Sequence, residues 1–239
     1  MSEQQAVTEM FDDISSHYDF LNHLLSFGID RRWRRIASKW VAQRHPSTIL
    51  DVATGTADLA IRMAKDIPSA SITGVDLSEK MLEYGRTKLI KKGLDQRITL
   101  VTGDATKLPF QDDSYDAVTS AFGVRNFEDL ETGLREMVRV CHNGGLIAVL
   151  EFSHPTNALM KRMYRWYSRR WIPRIGRNVS KHPTAYNYLP STVEAFPSGK
   201  AFEDILKQVG LIDLDRKVFS GGIATLYYGY KPKNNPPSQ

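Results

Sequence analysis

Apolar positions along the chain follow two periods. "STILDVA" (47–53), "ASITGVDL" (70–77), "RITLVTGDA" (97–105), "YDAVTSAF" (115–122) and "GLIAVLEFS" (145–153) are short, β-branched apolar runs that predict five strands. Between the first two, Leu59, Ala60, Met63, Ala64 and Ile67 recur at helical spacing. Ser78, followed by Met81, Leu82 and Leu89, predicts a helix with serine as its N-cap. "EDLETGLREMVRVC" (128–141) predicts another. Alternation of strand and helix implies right-handed crossovers and a parallel sheet. Near the end, "LIDLDRKVFSGGIATLYYGYKP" holds two strand-like runs joined by Ser220-Gly221-Gly222, a hairpin that brings the last strand in antiparallel. The predicted fold class is α/β: a doubly wound, mostly parallel seven-stranded sheet with an antiparallel last strand.

Two segments stand outside this pattern. Residues 1–46 are mostly helical and precede the first strand; residues 154–200 separate the fifth strand from the last helix, "GKAFEDILKQVGL". Long additions to a compact α/β core are more often functional than idle. The chain therefore reads as a single domain over 1–231, with an N-terminal helical lid (1–46) and a helical insert (154–200) walling a substrate pocket. The polar tail 232–239 is expected to be disordered.

Composition narrows the class. The 239 residues are 41% hydrophobic and 25% charged, which suits one large α/β domain. The single cysteine, Cys141, excludes an internal disulfide and suggests a reducing compartment. The N-terminus, "MSEQQAVTEMF", lacks the basic and apolar regions of a signal peptide, and no run of ~18 apolar residues could span a bilayer. The net charge is +5, but between Pro155 and Val193 there are eight Lys or Arg and no acid, so the remainder is net negative. The positive charge is local, and it implies a local anionic partner.

Ligands of open parallel sheets bind outside the carboxyl ends of the strands. Asp51 ends the first predicted strand, and the turn Ala53–Ala57 follows. Asp76 ends the second, placed to accept both hydrogens of a ribose diol. Asp104 ends the third, where it and the Ala105 N–H could meet an adenine edge. Any one of these acids could be an ordinary turn residue; three at successive strand ends point to a nucleoside site. As a dinucleotide fingerprint the turn is poor. It keeps Gly55 but lacks the second glycine, and Asp58 would repel a pyrophosphate. An acidic neighbourhood set by Asp51 and Asp58 suits S-adenosylmethionine, which carries a sulfonium, an ammonium and no phosphate.

With these residues in place, the chain resembles the class I S-adenosylmethionine-dependent methyltransferases, a Rossmann-like class. Within it, the chain resembles the ubiquinone/menaquinone biosynthesis C-methyltransferase family. "YDFLNHLLSFGIDRRW" (18–33), "DATKLPFQDDSYDAVTSAFGVRNF" (104–127) and "RVCHNGGLIAVLEFS" (139–153) match its three blocks in order. Departures are Leu21, Asp30, Cys141-His142-Asn143, Ala57 and Ala121. Ala57 replaces a usual glycine in the cofactor turn and is expected to lower cofactor affinity modestly, by adding a methyl where backbone and ligand meet.

The resemblance implies S-adenosylmethionine bound by Asp51, Gly55, Thr56, Asp76, Asp104, Ala105 and Ala121. It also implies C-methylation of a demethylmenaquinol or related polyprenyl benzoquinol. Arg125 is expected to hold the phenolate, Asn126 to orient the hydroxyl and Tyr18 to reach in from the lid. For Arg125 the plainer alternative is a surface arginine paired with Glu128 or Asp129. The six histidines show no metal-ligand spacing, so no metal requirement is expected. The insert 158–182 places Tyr164, Tyr167 and Trp171 on one helical stripe with arginines elsewhere on the wheel. It reads as a core-packed helix, an RNA-gripping surface or a membrane-surface helix. A polyprenyl quinol substrate fits the third reading: a cytoplasmic protein associated peripherally with the inner face of the membrane, with no nucleic-acid partner. Assembly is left open, with a homodimer as one option. The competing enzyme reading is an RNA methyltransferase, against which stands Ala121-Phe122-Gly123-Val124 in place of an Asn-Pro-Pro-Tyr-like tetrapeptide. A nucleoside-sensing or quinone-binding module is the non-enzyme alternative.

Overall fold

The computed structural model describes Ser26, residues 28–155, Arg162 and residues 191–233. Helix α1 (Asp30–Ala42) precedes β1 (Thr48–Val52). Then come α2 (Asp58–Asp66), β2 (Ser71–Asp76), α3 (Glu79–Lys92), β3 (Ile98–Thr102) and β4 (Tyr115–Ala121). A 3₁₀ turn (Val124–Asn126) leads to α4 (Leu130–Val140) and β5 (Cys141–Phe152). The chain closes with α5 (Lys200–Gln208), β6 (Ile212–Phe219) and β7 (Ala224–Tyr230). Ser78 caps α3 as predicted, its hydroxyl accepting from the Met81 N–H at 3.2 Å. The predicted 128–141 helix is two residues shorter at its start, because Asp129 is its cap and accepts from the Thr132 N–H at 3.0 Å.

The seven strands run in the order β3-β2-β1-β4-β5-β7-β6. The pairs β1–β2, β1–β4, β2–β3 and β4–β5 are parallel, and β7 lies antiparallel between β5 and β6. The predicted sheet and its antiparallel last strand are both present. The hairpin turns through Ser220, Gly221 and Gly222, all with positive φ (48°, 67° and 98°). β5 starts earlier than predicted, at Cys141. Its first residue pairs with Tyr115, and the register shifts before Ala117 joins Leu146. Gly145 sits at this irregularity, where a Cβ would lie 2.6 Å from Cys141 Sγ and 2.9 Å from the Asp116 carbonyl oxygen.

The sheet is buried on both faces, which explains why its central strands read as near-continuous apolar runs. On one face Ile49, Ile72, Leu146 and Leu150 pack with Trp33, Ala37 and Val41 of α1 and with Ala60 and Met63 of α2. On the other, Leu50, Val52, Val118 and Val149 pack with Leu134 and Met137 of α4 and Phe202 and Leu206 of α5. Helix α1 belongs to the segment expected to form a lid; here it is part of the core. Strand order reverses between β1 and β4. The carboxyl ends of these two strands therefore frame the crevice where such sheets bind ligands.

Candidate active site

Parallel pairing sets Asp51 of β1 opposite Thr119 of β4. The Asp51 carboxylate is buried and accepts from Thr119 Oγ1 at 2.8 Å and from Thr54 Oγ1 at 2.7 Å. Burial pushes its carboxyl up to about 6, against the pull of the two threonine hydroxyls and the positive charge of Arg34. Thr54 fits beside β2 because residue 74 is glycine; a Cβ there would meet Thr54 Cγ2 at 2.8 Å and Leu100 Cδ2 at 2.7 Å. The turn after β1 is left-handed at Ala53, Gly55 and Ala57, with φ of 51°, 55° and 66°. Asp76, at the end of β2, holds that turn: it accepts from the Gly55 N–H at 2.7 Å and from the Ser78 N–H at 3.0 Å. Its carboxylate thus joins two loops. Strand β3 ends at Thr102, so Asp104 stands two residues beyond it rather than at its end. There one Asp104 oxygen accepts from the Thr106 N–H and hydroxyl, both at 2.8 Å.

Two expectations about this turn change. Asp58 does not contribute unneutralised acidity: Lys88 of α3 reaches across to Asp58 Oδ1 at 2.8 Å and to Thr56 Oγ1 at 2.7 Å. Neighbouring elements, invisible in the local pattern, supply the cation. The Ala57 methyl is turned into the core. It is fully buried, and its Cβ lies 3.6 Å from where a Cβ would stand on Gly85 of α3. The left-handed backbone at this position (φ 66°, ψ 25°) accounts for the usual glycine.

A recess opens at the switch point, lined by Arg34, Asp51, Ala53, Thr54 and Thr56. Asp58, Leu59 and Ala121 complete it. Of the predicted cofactor residues, Asp51, Thr56 and Ala121 lie in this lining. Gly55 and Asp76 bond each other beside it, and Asp104 and Ala105 follow β3 farther along the same edge. The donor set suits S-adenosylmethionine: a buried carboxylate, threonine hydroxyls and a cation, with a further acid, Asp76, one strand over. Arg34, Thr54, Thr119 and Lys88 were not singled out from sequence. Arg34 and Lys88 lie on helices before and after the turn, and their spacing alone carries no signal for the site.

Beyond β4 the chain turns sharply. Phe122 has a positive φ of 62°, and Gly123 follows, where a Cβ would lie 2.5 Å from the Ala53 Cβ. The turn after β1 and the turn after β4 therefore touch through a glycine. The Arg125 side chain is wholly buried, not on the surface beside Glu128 or Asp129. Its Nη1 donates to Glu151 Oε1 at 2.7 Å and to the Phe122 carbonyl oxygen, and its guanidinium lies 5.5 Å from the Phe152 ring centroid. Burial raises the Glu151 carboxyl while Arg125 draws it back down. Asn126 closes the 3₁₀ turn, its N–H donating to the Gly123 carbonyl oxygen at 3.0 Å. Trp33, Phe122 and Phe152 pack together in tilted and edge-to-face contacts, with centroids 4.5 to 6.3 Å apart. Tyr18 lies outside the described residues, as does the insert 158–182 apart from Arg162.

The strand order, the switch-point recess and the acid-held turn define a class I S-adenosylmethionine-dependent methyltransferase. Its backbone resembles a solved S-adenosylmethionine-dependent methyltransferase from Aquifex aeolicus, with a TM-score of 0.57, 19% identity, and 77% of this chain and 81% of that one covered. The chain belongs to the ubiE/COQ5 methyltransferase family, whose model matches residues 1–231. It is 44% identical over 227 residues to a demethylmenaquinone methyltransferase of Bacteroides fragilis, covering 95% of this chain and 93% of that protein. It is 45% identical over 228 residues to the ubiquinone/menaquinone biosynthesis C-methyltransferase UbiE of Geobacter sulfurreducens, covering 95% and 89%.

Proposed function

We propose that this methyltransferase transfers a methyl group to a ring carbon of a demethylmenaquinol, or of a related polyprenyl benzoquinol, in isoprenoid quinone biosynthesis. The observation that carries the reading is 44% identity to a demethylmenaquinone methyltransferase over 95% of the chain. When bound, S-adenosylmethionine supplies an electrophilic methyl group. Asp51, Gly55, Thr56, Asp76, Asp104, Ala105 and Ala121 hold it along the carboxyl edge of the sheet. A ring carbon becomes nucleophilic once a neighbouring hydroxyl is deprotonated, so the protein must stabilise an oxyanion and align the carbon. Arg125, braced by Glu151, stabilises that oxyanion directly or through a water. Asn126 and Tyr18 orient the hydroxyl. Alignment can contribute ~7–11 kcal/mol to such a reaction.

The basic aromatic insert 158–182 rests on an anionic membrane surface and admits the polyprenyl substrate from the bilayer. Among the described residues no helix is long and apolar enough to cross a membrane. The sequence supports surface contact through its clustered arginines and aromatics. Co-sedimentation with anionic liposomes that weakens in high salt is expected, and salt-independent or absent binding would count against it. The catalytic reading is tested with labelled S-adenosylmethionine offered a short-chain demethylmenaquinol or total RNA. Label in the quinol supports it; label in RNA, or in neither, refutes it.

A further inference from the structure

The lining of the recess carries charges of both signs. S-adenosylmethionine bears one anionic group, the carboxylate of its methionine portion, next to its ammonium. Among the residues lining the recess, Arg34 is the cation; it stands with Asp51 and Thr54 in the same wall. Its charge is felt at Asp51, whose carboxyl it draws down. We propose that Arg34 is the cofactor's carboxylate-binding residue, paired in the recess with Asp51 as the acid facing the ammonium. The inference rests on S-adenosylmethionine being the cofactor.

The placement of Arg34 is built rather than incidental. It rides on α1, whose Trp33, Ala37 and Val41 are anchored in the core. The Phe122 ring supports the guanidinium from one side, 5.0 Å from centroid to carbon. Asp30, one helical turn back, takes the Nη1 hydrogen bond, and Ser26 Oγ donates to Asp30 at 2.8 Å. A guanidinium has five N–H donors in a planar fork, and one bond to Asp30 leaves the fork able to take a second carboxylate. Asp30 and Phe122 thus orient a cation that is 7% exposed and lines the recess. The buried Asp30–Arg34 pair could also serve α1 alone, as a structural link. Such a link would not distinguish one ligand from another that differs only in its carboxylate.

That difference is the test. S-adenosylmethionine and decarboxylated S-adenosylmethionine share every other group, and calorimetric titration gives Kd for each without turnover. The wild-type chain is expected to favour the carboxylate-bearing ligand by about 10- to 100-fold, the range of one charge-assisted contact. Arg34→Gln is expected to lose that preference by weakening S-adenosylmethionine alone. Asp30→Asn keeps the guanidinium and is expected to keep the preference. Asp30→Asn combined with Arg34→Gln removes both buried charges, so the measurement survives if the single Arg34 variant fails to fold. Equal weakening of the two ligands, or unchanged affinity for both, overturns the proposal. A wild-type chain that binds neither ligand overturns the cofactor assignment beneath it.

Discussion

Asp51→Asn separates the electrostatic cost of the cofactor turn from its geometry. The native carboxyl is pushed from 3.8 up to about 6, chiefly by burial. At about 1.4 kcal/mol per tenfold change, that rise amounts to ~3 kcal/mol of stability lost on ionisation. The folded-state value lies above the unfolded one. The contribution is therefore present below about pH 4 and disappears as pH rises through about 6. Asparagine has nearly the same shape and does not ionise. Even when protonated, the carboxyl keeps an acceptor on each oxygen for Thr54 and Thr119, whereas asparagine replaces one oxygen with an NH2 donor, and one poorly placed hydroxyl costs about 1–3 kcal/mol at any pH. The variant should thus be less stable than the wild type near pH 4. Near pH 8 it should draw level or exceed it, the difference moving by ~3 kcal/mol across the range. Urea unfolding of the cofactor-free protein measures this, because every other titrating group is common to both chains and cancels. A stability difference that stays constant from about pH 4 to about pH 8 would refute the placement of Asp51 as a buried, strained acid.

Three further outcomes follow from the packing. Glu151→Gln leaves the wholly buried Arg125 guanidinium without its carboxylate and should cost about 3–5 kcal/mol by urea unfolding; a loss under about 1 kcal/mol would mean that the pair is not held as seen. Gly123→Ala forces a Cβ to 2.5 Å from Ala53 and 3.0 Å from Ser120 Oγ, so thermal unfolding should show a loss of about 1–3 kcal/mol, with weaker cofactor binding as the β1 turn yields. Ala57→Gly relieves a left-handed alanine (about 1–2 kcal/mol) but gives up a buried methyl (~0.8) and adds glycine's entropy cost (about 0.5–1). Its stability should change by less than about 1 kcal/mol. Its affinity for S-adenosylhomocysteine, measured by calorimetry, should stay the same, and a tenfold tightening would restore the idea that the methyl obstructs the ligand.

Much of this protein is written in local pattern. The β-branched runs, the helical spacing of Leu59 to Ile67, the Ser78 cap and the Ser220–Gly222 turn each specify their element through nearest neighbours, because backbone sterics and capping act over a few residues. The strand-end acids were legible for the same reason, since parallel sheets place ligands at a predictable edge. The family blocks around Arg125 and Asn126 were legible as well. What surrounded those residues was not. A buried partner for Arg125 comes from Glu151, 26 positions away on β5, and neutralisation of Asp58 comes from Lys88, 30 positions away on α3.

The division has one physical cause. Sequence alone determined which segments are strands and helices, that the sheet is parallel until its last strand, and which acids stand at its carboxyl edge. Periodicity and turn chemistry are short-range properties of the chain. Tertiary structure decided the charge state and direction of those side chains: Asp51 is raised by burial, Asp58 is matched by Lys88, Ala57 is turned into the core, and Arg34 is brought from a preceding helix into the recess. Those outcomes depend on desolvation and on contacts between residues far apart in sequence, and both come into being when the layers close on one another.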